Sequence, residues 1–218
     1  MKKAGGGSSN LPGAIFFKMS EKRITIMVVV IFLVIISTFY FFVFKETSEQ
    51  DPNNYIYNDF RVIKSQNPNI VGYAIIGYLE DQPYQFNLRN DPIHTENITV
   101  QENAREILLT KPKVYLTMAP NLTSKSVIAA LEVANTISRK LGIYNIETIG
   151  ALTRPAPNNP TEVITCDNIT QKQNVILFKL GDETKVFLEG ECIIIQGTNE
   201  WEIIRAADRL VYDVLEVI

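Results

Sequence analysis

An uninterrupted apolar run at residues 24–44 constrains this chain more than any other feature, because it contains no charged residue. As a helix rising about 1.5 Å per residue it would be roughly 30 Å long, which matches the hydrocarbon core of a bilayer. The run ends in bulky aromatic residues, which suit an interfacial belt and not a small-residue cleavage site. The sequence therefore predicts an uncleaved transmembrane helix here and disfavours a cleaved signal peptide. A pilin-type leader is also disfavoured, because Lys22 and Arg23 stand where such a leader needs a small residue.

The residues before this run predict its orientation in the membrane. Five basic residues and one acid precede it, a local charge of +4 that leaves −7 for the remainder of a chain whose net charge is −3. An excess of Lys and Arg beside a membrane helix favours the cytoplasmic side. We therefore expect residues 1–23, with their Gly/Ser-rich stretch, to be a disordered cytoplasmic tail. The polar residues 45–54 then form a stalk outside the membrane, and residues 55–218 form an extracytoplasmic domain.

The residues beyond the stalk have the composition of one folded domain with its own core. Three short apolar segments separated by turn signals, within residues 60–88, predict an antiparallel meander. A strand at 113–118, a helix at 124–141 and a strand at 143–152 predict a strand–helix–strand unit. Nearly unbroken apolar runs at 175–180 and 192–195 are typical of strands that are buried on both faces. The sequence thus predicts an α/β or α+β fold, a mixed β-sheet with helices packed on it.

Two of the predicted helices have apolar residues at helical spacing, which predicts the face that each one buries. In the helix at 124–141 the predicted buried stripe comprises Val127, Leu131, Ala134, Ile137 and Leu141. In the C-terminal helix, capped by Asn199 and Glu202, the stripe comprises Ile203, Ala207, Leu210, Val214 and Val217. Four charged residues of this last helix are expected on its solvent side, namely Arg205, Asp208, Arg209 and Asp213.

Four short segments of the outer domain carry a resemblance to a known family. They are Tyr57-Asn58-Asp59-Phe60, Thr165-Cys166-Asp167-Asn168, Cys192-Ile193-Ile194-Ile195-Gln196-Gly197 and Ala206-Ala207-Asp208-Arg209-Leu210-Val211-Tyr212. Together they resemble an uncharacterised family of small single-pass membrane proteins of DPANN archaea, such as woesearchaeote-type lineages. The resemblance runs through most of the outer domain and implies an archaeal cell envelope. It implies no activity.

Cys166 and Cys192 are the two cysteines of the chain, and both follow the predicted membrane helix. Outside the cell a pair of thiols can persist as a disulfide, whereas in the cytosol they would remain reduced. The predicted compartment therefore favours a structural disulfide over two free thiols. The two cysteines have no CxxC spacing, so redox catalysis is disfavoured.

Three Asn-x-Thr sequons also fall in the outer domain, beginning at Asn97, Asn121 and Asn168. Each is a possible N-glycosylation site, which suits the predicted topology. The alternative for Asn97 and Asn121 is turn or cap chemistry, because both stand beside predicted helix starts.

Catalytic and cofactor signatures are weak in this sequence. His94 is the single histidine, and it lies beside Pro92 without a Gly-x-Ser-x-Gly elbow elsewhere in the chain. No cluster of residue types suited to a metal is visible, so we predict neither a metal nor a cofactor. The acidic outer domain also disfavours nucleic-acid binding.

The leading functional hypothesis is a non-enzymatic, membrane-anchored envelope protein whose outer domain scaffolds or binds other proteins. The alternative is a module that binds carbohydrate or another cell-surface ligand through an aromatic-rich front section. Its candidate surface comprises Tyr55, Tyr57, Tyr73, Tyr78 and Tyr84. A third hypothesis, a cryptic hydrolase, would require a deep pocket that gathers His94 with two carboxylates.

Overall fold

The structure is a computed structural model that describes residues 21–43, 51–67, 72–79, 81–157 and 160–218. The chain divides into two units, Met1–Glu49 and Gln50–Ile218. In the first unit, helix α1 spans Glu21–Val43, and its side chains from Ile26 to Ile36 are exposed. Measured over the described residues, no helix of the protein is both long enough and apolar enough to span a bilayer. The predicted tail up to residue 20, residue 44 of the predicted span and the predicted stalk up to residue 50 lie outside the described residues.

A four-stranded antiparallel meander opens the second unit, in the order β1-β2-β3-β4. Its strands are β1 (Asn54–Tyr57), β2 (Phe60–Lys64), β3 (Tyr73–Leu79) and β4 (Gln82–Leu88). Asn58 and Asp59 both have positive φ, as a two-residue hairpin turn between β1 and β2 requires. The predicted meander is confirmed, and β1 extends it by one strand that begins at Asn54, the last residue of the predicted stalk.

The rest of the unit builds a second, mixed sheet of six strands in the order β5-β9-β10-β8-β6-β7. Its strands are β5 (Thr99–Val100), β6 (Lys113–Met118), β7 (Glu147–Leu152), β8 (Gln173–Leu180), β9 (Lys185–Glu189) and β10 (Cys192–Gly197). The helices are α2 (Pro92–Thr95), α3 (Ala104–Leu109), α4 (Ser124–Ile137) and α5 (Glu200–Val214). The fold is therefore mixed α/β and consistent with α+β, with two sheets in place of one.

The predicted strand–helix–strand unit is confirmed, because β6 and β7 are parallel neighbours and α4 connects them. Every residue of β10 is buried, as its unbroken apolar run predicted. This strand lies between β8 and β9, so both of its edges are hydrogen-bonded.

One core cluster joins the inner face of the meander, helices α3, α4 and α5, and one face of the six-stranded sheet. The opposite face of that sheet has a smaller cluster, in which Ile164, Cys166 and Ile169 pack against the sheet. A single layer of irregular chain therefore covers the second face. The disulfide described below joins that layer to the centre of the sheet.

Candidate functional site

Helix α4 does not bury the stripe that its apolar spacing predicts. Val127 is 46% exposed and Leu131 is 53% exposed, so the prediction is wrong for these two residues. Leu141 lies beyond the end of the helix and is exposed as well. The buried residues are Ser126, Ala129, Ala130, Glu132, Val133, Thr136 and Ile137. This face starts one residue earlier than the predicted one, a rotation of about 100° around the helix.

Polar contacts explain this rotation. Glu132 accepts a hydrogen bond from Arg89 at 2.6 Å, and Ser126 donates one to Glu200 at 2.9 Å. A buried polar side chain costs free energy unless it has such a partner. Because Arg89 and Glu200 lie on the inner side of α4, they draw its polar residues inward. Two large apolar side chains are consequently left on the outer side.

A groove with a volume of about 790 Å³ lies between α4 and strand β7. Its walls are mainly apolar and include Leu116, Met118, Val127, Leu131, Ile146 and Leu152. The two exposed leucine and valine side chains of α4 form its upper rim. Concave sites with apolar walls and a few polar groups are the usual form of a binding site. We refer to this feature as the α4–β7 groove.

The inner edge of β7 is fully engaged by its neighbour β6. The Glu147 N–H donates to the Pro112 carbonyl at 2.8 Å, and the Thr153 N–H donates to the Met118 carbonyl at 3.0 Å. These odd-numbered residues therefore direct their backbone groups toward β6. Since successive residues of a strand point their backbone groups in opposite directions, the even-numbered residues direct theirs toward the outer edge of the sheet.

The outer edge of β7 is engaged at its two ends. Ile146 donates to the Ile137 carbonyl at 3.1 Å, and Leu152 donates to the Glu162 carbonyl at 2.9 Å. Between these ends, no hydrogen bond joins the outward backbone groups of Thr148 or Gly150 to any described residue. An unpaired stretch of strand edge is a template for another strand. The outer edge of β7, next to the α4–β7 groove, thus presents two backbone N–H and two backbone C=O groups.

Gly150 makes room for an occupant of this groove. A Cβ built on this residue meets nothing within 4 Å, and the residue opposite it in β6 is Leu116, on the helix side of the sheet. A glycine inside a strand weakens it and often marks a place where another chain approaches closely. Gly150, inside the strand predicted at 143–152, is the sequence feature that could have indicated this groove.

The N-terminus of α4 follows the carboxyl end of β6, where α/β proteins often bind anions. Here Glu200 of α5 occupies that position: its Oε2 accepts from the Thr123 N–H at 2.9 Å, the Thr123 hydroxyl at 2.8 Å and the Ser126 hydroxyl at 2.9 Å. Partial burial acts to raise the pKa of Glu200, but these hydrogen bonds hold that pKa below its usual value. The helix terminus is therefore satisfied by the protein itself.

The structure does not bring the five candidate tyrosines into one surface. Tyr55, Tyr57 and Tyr73 are partly buried and pack against the main core. Tyr78 is 74% exposed and Tyr84 is 38% exposed. Tyr84 pairs with Gly77 and Tyr78 pairs with Pro83, so the two exposed rings lie on opposite faces of the meander.

His94 lies on the short helix α2 and is exposed. Its carbonyl accepts a hydrogen bond from Arg205 at 2.6 Å. Three carboxylic acids are buried in the described part of the chain, at Asp91, Glu132 and Asp208. The His94 backbone N–H donates to the Asp91 carbonyl at 3.1 Å, so this contact does not involve the imidazole or a carboxylate. Within the described residues, no group of three or more His, Cys, Asp and Glu side chains could hold a metal ion.

The three sequon asparagines are exposed. Each uses its side-chain oxygen as a hydrogen-bond acceptor: Asn97 from Arg205, Asn121 from Arg154 and Asn168 from the Thr165 N–H. All three are therefore accessible. Asn97 and Asn121 contact arginine side chains that are distant in sequence, and Asn168 makes a cap contact in the 3₁₀ turn.

The predicted disulfide is confirmed between Cys166 and Cys192, whose Cα atoms are 5.4 Å apart. Cys192 opens the central strand β10, and Cys166 begins a 3₁₀ turn, Cys166–Asn168, in the layer on the second face. The two bridged cysteines are 26 residues apart in the sequence. The bridge has a structural role, because it ties the irregular layer on the second face to the central strand.

No protein-family model, curated protein or solved structure matches this chain. The resemblance to a DPANN membrane-protein family stays a prediction.

Proposed function

We propose that this is a non-enzymatic, membrane-anchored envelope protein whose outer domain binds a partner protein through the α4–β7 groove. The observation that carries this proposal is the combination of an apolar wall, including exposed Val127 and Leu131, with the unpaired strand edge at Thr148 and Gly150. Strand addition to a free edge takes affinity from the backbone and specificity from side-chain pockets. An extended segment with an apolar side chain over Gly150 fits both requirements.

One buried side chain and a few backbone hydrogen bonds limit the affinity that such a contact can supply. Burial of apolar surface contributes about 25 cal/mol per Å², so one leucine-sized side chain in the groove contributes about 2 kcal/mol. Backbone pairing to two residues adds about 0.5–1.5 kcal/mol per hydrogen bond. Together these contributions suit a short segment of a larger partner and not a complete interface.

The membrane placement is supported by the sequence and by the disulfide. The uncharged apolar run at residues 24–44 and the basic residues before it favour an anchor with an outward domain. A disulfide persists in an oxidising compartment, and Cys166–Cys192 belongs to the domain expected there. Alkaline carbonate extraction of native membranes should leave the protein in the pellet. Release into the supernatant would contradict the anchor.

Carbohydrate binding is supported less well, because stacking on sugar rings needs several aromatic faces on one surface. Of the five candidate tyrosines, the two exposed ones lie on opposite faces of the meander. A glycan array should therefore show no binding that depends on Tyr78 or Tyr84. Loss of a specific glycan signal in Tyr78→Ala or Tyr84→Ala would favour the carbohydrate hypothesis instead.

The partner hypothesis is tested by crosslinking the full-length protein in native membranes, followed by affinity purification and mass spectrometry. Leu131→Arg places a charge in the groove, and Gly150→Leu adds an apolar side chain where a Cβ meets no atom within 4 Å. The matched control is Leu180→Arg, because Leu180 is 50% exposed and Leu131 is 53% exposed. We expect a stoichiometric partner with the wild type and with Leu180→Arg. Both groove variants should reduce its recovery by about tenfold or more.

Two results would contradict the proposal. The protein could be recovered without a stoichiometric partner, or the same partner could be recovered equally with all four proteins. The second result would place the partner contact outside the α4–β7 groove.

A further inference from the structure

Two carboxylic acids lie buried together between α4 and α5. Glu132 of α4 is 4% exposed and Asp208 of α5 is 0% exposed. The periodicity of α5 predicts Asp208 on the solvent side, so that prediction is wrong. We refer to Glu132 and Asp208 as the acid pair.

One oxygen of each acid has a conventional donor from the segment that follows β4. Arg89 Nη1 donates to Glu132 Oε1 at 2.6 Å. The N–H and the side-chain amide of Asn90 both donate to Asp208 Oδ2 at 2.8 Å. The acid pair therefore connects the two helices to the end of the meander. Tyr212 strengthens this junction, because its hydroxyl donates to the Asn90 carbonyl at 2.5 Å.

The second oxygen of each acid, Glu132 Oε2 and Asp208 Oδ1, is buried and has no other donor among the described residues. Their donors, Arg89 and Asn90, are consecutive residues, which places the two carboxyl groups side by side and their second oxygens in position to contact each other. Two ionised carboxylates offer acceptors alone, so this contact requires a proton on one of them. A neutral Asp208 that donates to an ionised Glu132 satisfies both oxygens, and it leaves Glu132 as the partner of the Arg89 guanidinium.

The charges around the acid pair favour a single negative charge. The titratable and charged groups that face it are Arg89 after β4, Asp91 at the cap of α2, Tyr212 of α5 and Tyr55 of β1. Within the described residues Arg89 is the cation of this set. Arg209, the neighbour of Asp208 in sequence, pairs with Asp213 instead. One ionised acid is balanced by Arg89, and a second would have no counter-charge.

We propose that Asp208 keeps a proton at neutral pH and donates a hydrogen bond through it to Glu132, so that the acid pair holds α4, α5 and the end of β4 together as a pH-dependent latch. Loss of the proton places two negative charges in one buried site, and the attraction between the helices becomes repulsion. Because α4 also forms one wall of the α4–β7 groove, opening of the latch would change the shape of that groove. The latch itself does not depend on any partner.

The direction of the pH effect follows from the protonation of the acids. Burial raises the pKa of Asp208 well above its usual range, and the Glu132 carboxylate raises it further. Burial also raises the pKa of Glu132, although its contacts with Asp208 and Arg89 oppose that change. The folded protein thus holds protons that the unfolded chain releases near the usual carboxyl range of about pH 4. The stabilisation from these protons is complete below that range, and it is lost as the pH rises through the raised pKa values.

The test is the melting temperature of the full-length protein between pH 5 and pH 9. Asp208→Asn supplies a permanent donor to Glu132 and still accepts from Asn90, so it imitates the protonated state at every pH. We expect the wild type to lose about 3–5 °C per pH unit once the proton leaves, relative to Asp208→Asn. The matched control is Asp182→Asn at an exposed aspartate, which should keep the wild-type pH profile. Equal slopes for Asp208→Asn and the wild type would overturn the proposal.

Infrared spectroscopy of the wild type gives a second readout, which decides the matter even if Asp208→Asn fails to fold. At neutral pH we expect the carbonyl stretch of one protonated carboxyl group, and this band should disappear on raising the pH. A wild-type protein without that band at neutral pH has no shared proton. As the pH rises, amide hydrogen exchange, corrected for its intrinsic pH dependence, should accelerate in α4 at a lower pH than in β10. Equal acceleration in both elements would contradict a local latch.

Discussion

Helices α4 and α5 pack side by side in one core, yet they use their apolar residues in different ways. All five residues of the predicted apolar stripe are buried at no more than 1% exposure, although Val217 lies just beyond the end of α5. Helix α4 leaves Val127 and Leu131 about half exposed, and it buries Ser126, Glu132 and Thr136. The apolar stripe of α5 faces the core, whereas α4 turns polar side chains toward Arg89 and Glu200 and leaves two large apolar side chains outside.

The strands beneath the two helices also differ in how closely the helix approaches them. Gly197 ends β10 under α5, and a Cβ there would lie 2.3 Å from the Ile203 nitrogen and 2.5 Å from the Glu202 carbonyl carbon. Gly150 lies in β7 beside α4, and a Cβ there meets nothing within 4 Å. One helix rests directly on the sheet, and the other leaves a groove above it. The α4–β7 groove therefore lies beside the helix that leaves two large apolar side chains exposed.

The largest change in stability is expected in α5, the helix that packs tightly on the sheet. Leu210→Ala removes a fully buried side chain from α5 and should lower the free energy of unfolding by about 2–5 kcal/mol. Urea denaturation of the purified protein, followed by circular dichroism, measures this change. A cost below about 1 kcal/mol would mean that α5 is packed as loosely as α4.

Alanine substitutions of the two glycines compare how closely each helix packs on the sheet. Gly197→Ala forces a methyl group against the backbone of α5 and should destabilise the protein by about 1–3 kcal/mol. Gly150→Ala should be neutral or stabilise it by up to about 0.5–1 kcal/mol, because alanine is less costly than glycine inside a strand. Thermal denaturation of both variants makes the comparison. Equal effects of the two changes would remove the distinction between the two regions.

The contact between the helices gives a smaller effect with a defined pH dependence. Glu200→Ala removes the acceptor at the N-terminus of α4 and should cost about 1 kcal/mol at neutral pH. Because the pKa of Glu200 is lowered in the folded protein, its contribution is present above the usual carboxyl range of about pH 4 and is lost as the pH falls through the folded value. The stability difference between wild type and variant should therefore shrink in acid. Glu102→Ala, at an exposed glutamate, is the control.

The smallest effect belongs to the outer side of α4. Leu131→Ala is chemically the same change as Leu210→Ala, yet it should cost less than about 0.5 kcal/mol because Leu131 is half exposed. Parallel urea titrations of the two variants compare them directly. A large cost at Leu131 would show that this side chain is covered in the folded protein, and it would argue against a vacant groove.

Much of α5 and of the six-stranded sheet could be predicted from local patterns. The cap at Asn199 accepts from the Trp201 and Glu202 N–H groups, and the stripe from Ile203 to Val217 is buried as expected. The buried strand β10, the parallel pair around α4 and the Cys166–Cys192 bridge were also predicted. These features depend on spacing within one segment or, for the disulfide, on the expected compartment.

The remaining features depended on partners that are distant in the chain. Arg89 and Glu132 are 43 residues apart, and Asn90 and Asp208 are 118 residues apart. A periodic pattern records how apolar each residue is, but it does not record where a buried acid will find its donor. Local sequence patterns therefore determined most of the elements, the cap at Asn199 and the apolar stripe of α5. The tertiary structure alone decided the rotation of α4, the burial of Asp208 and the groove beside Gly150, because contacts between distant segments outweigh local periodicity when polar groups must be satisfied.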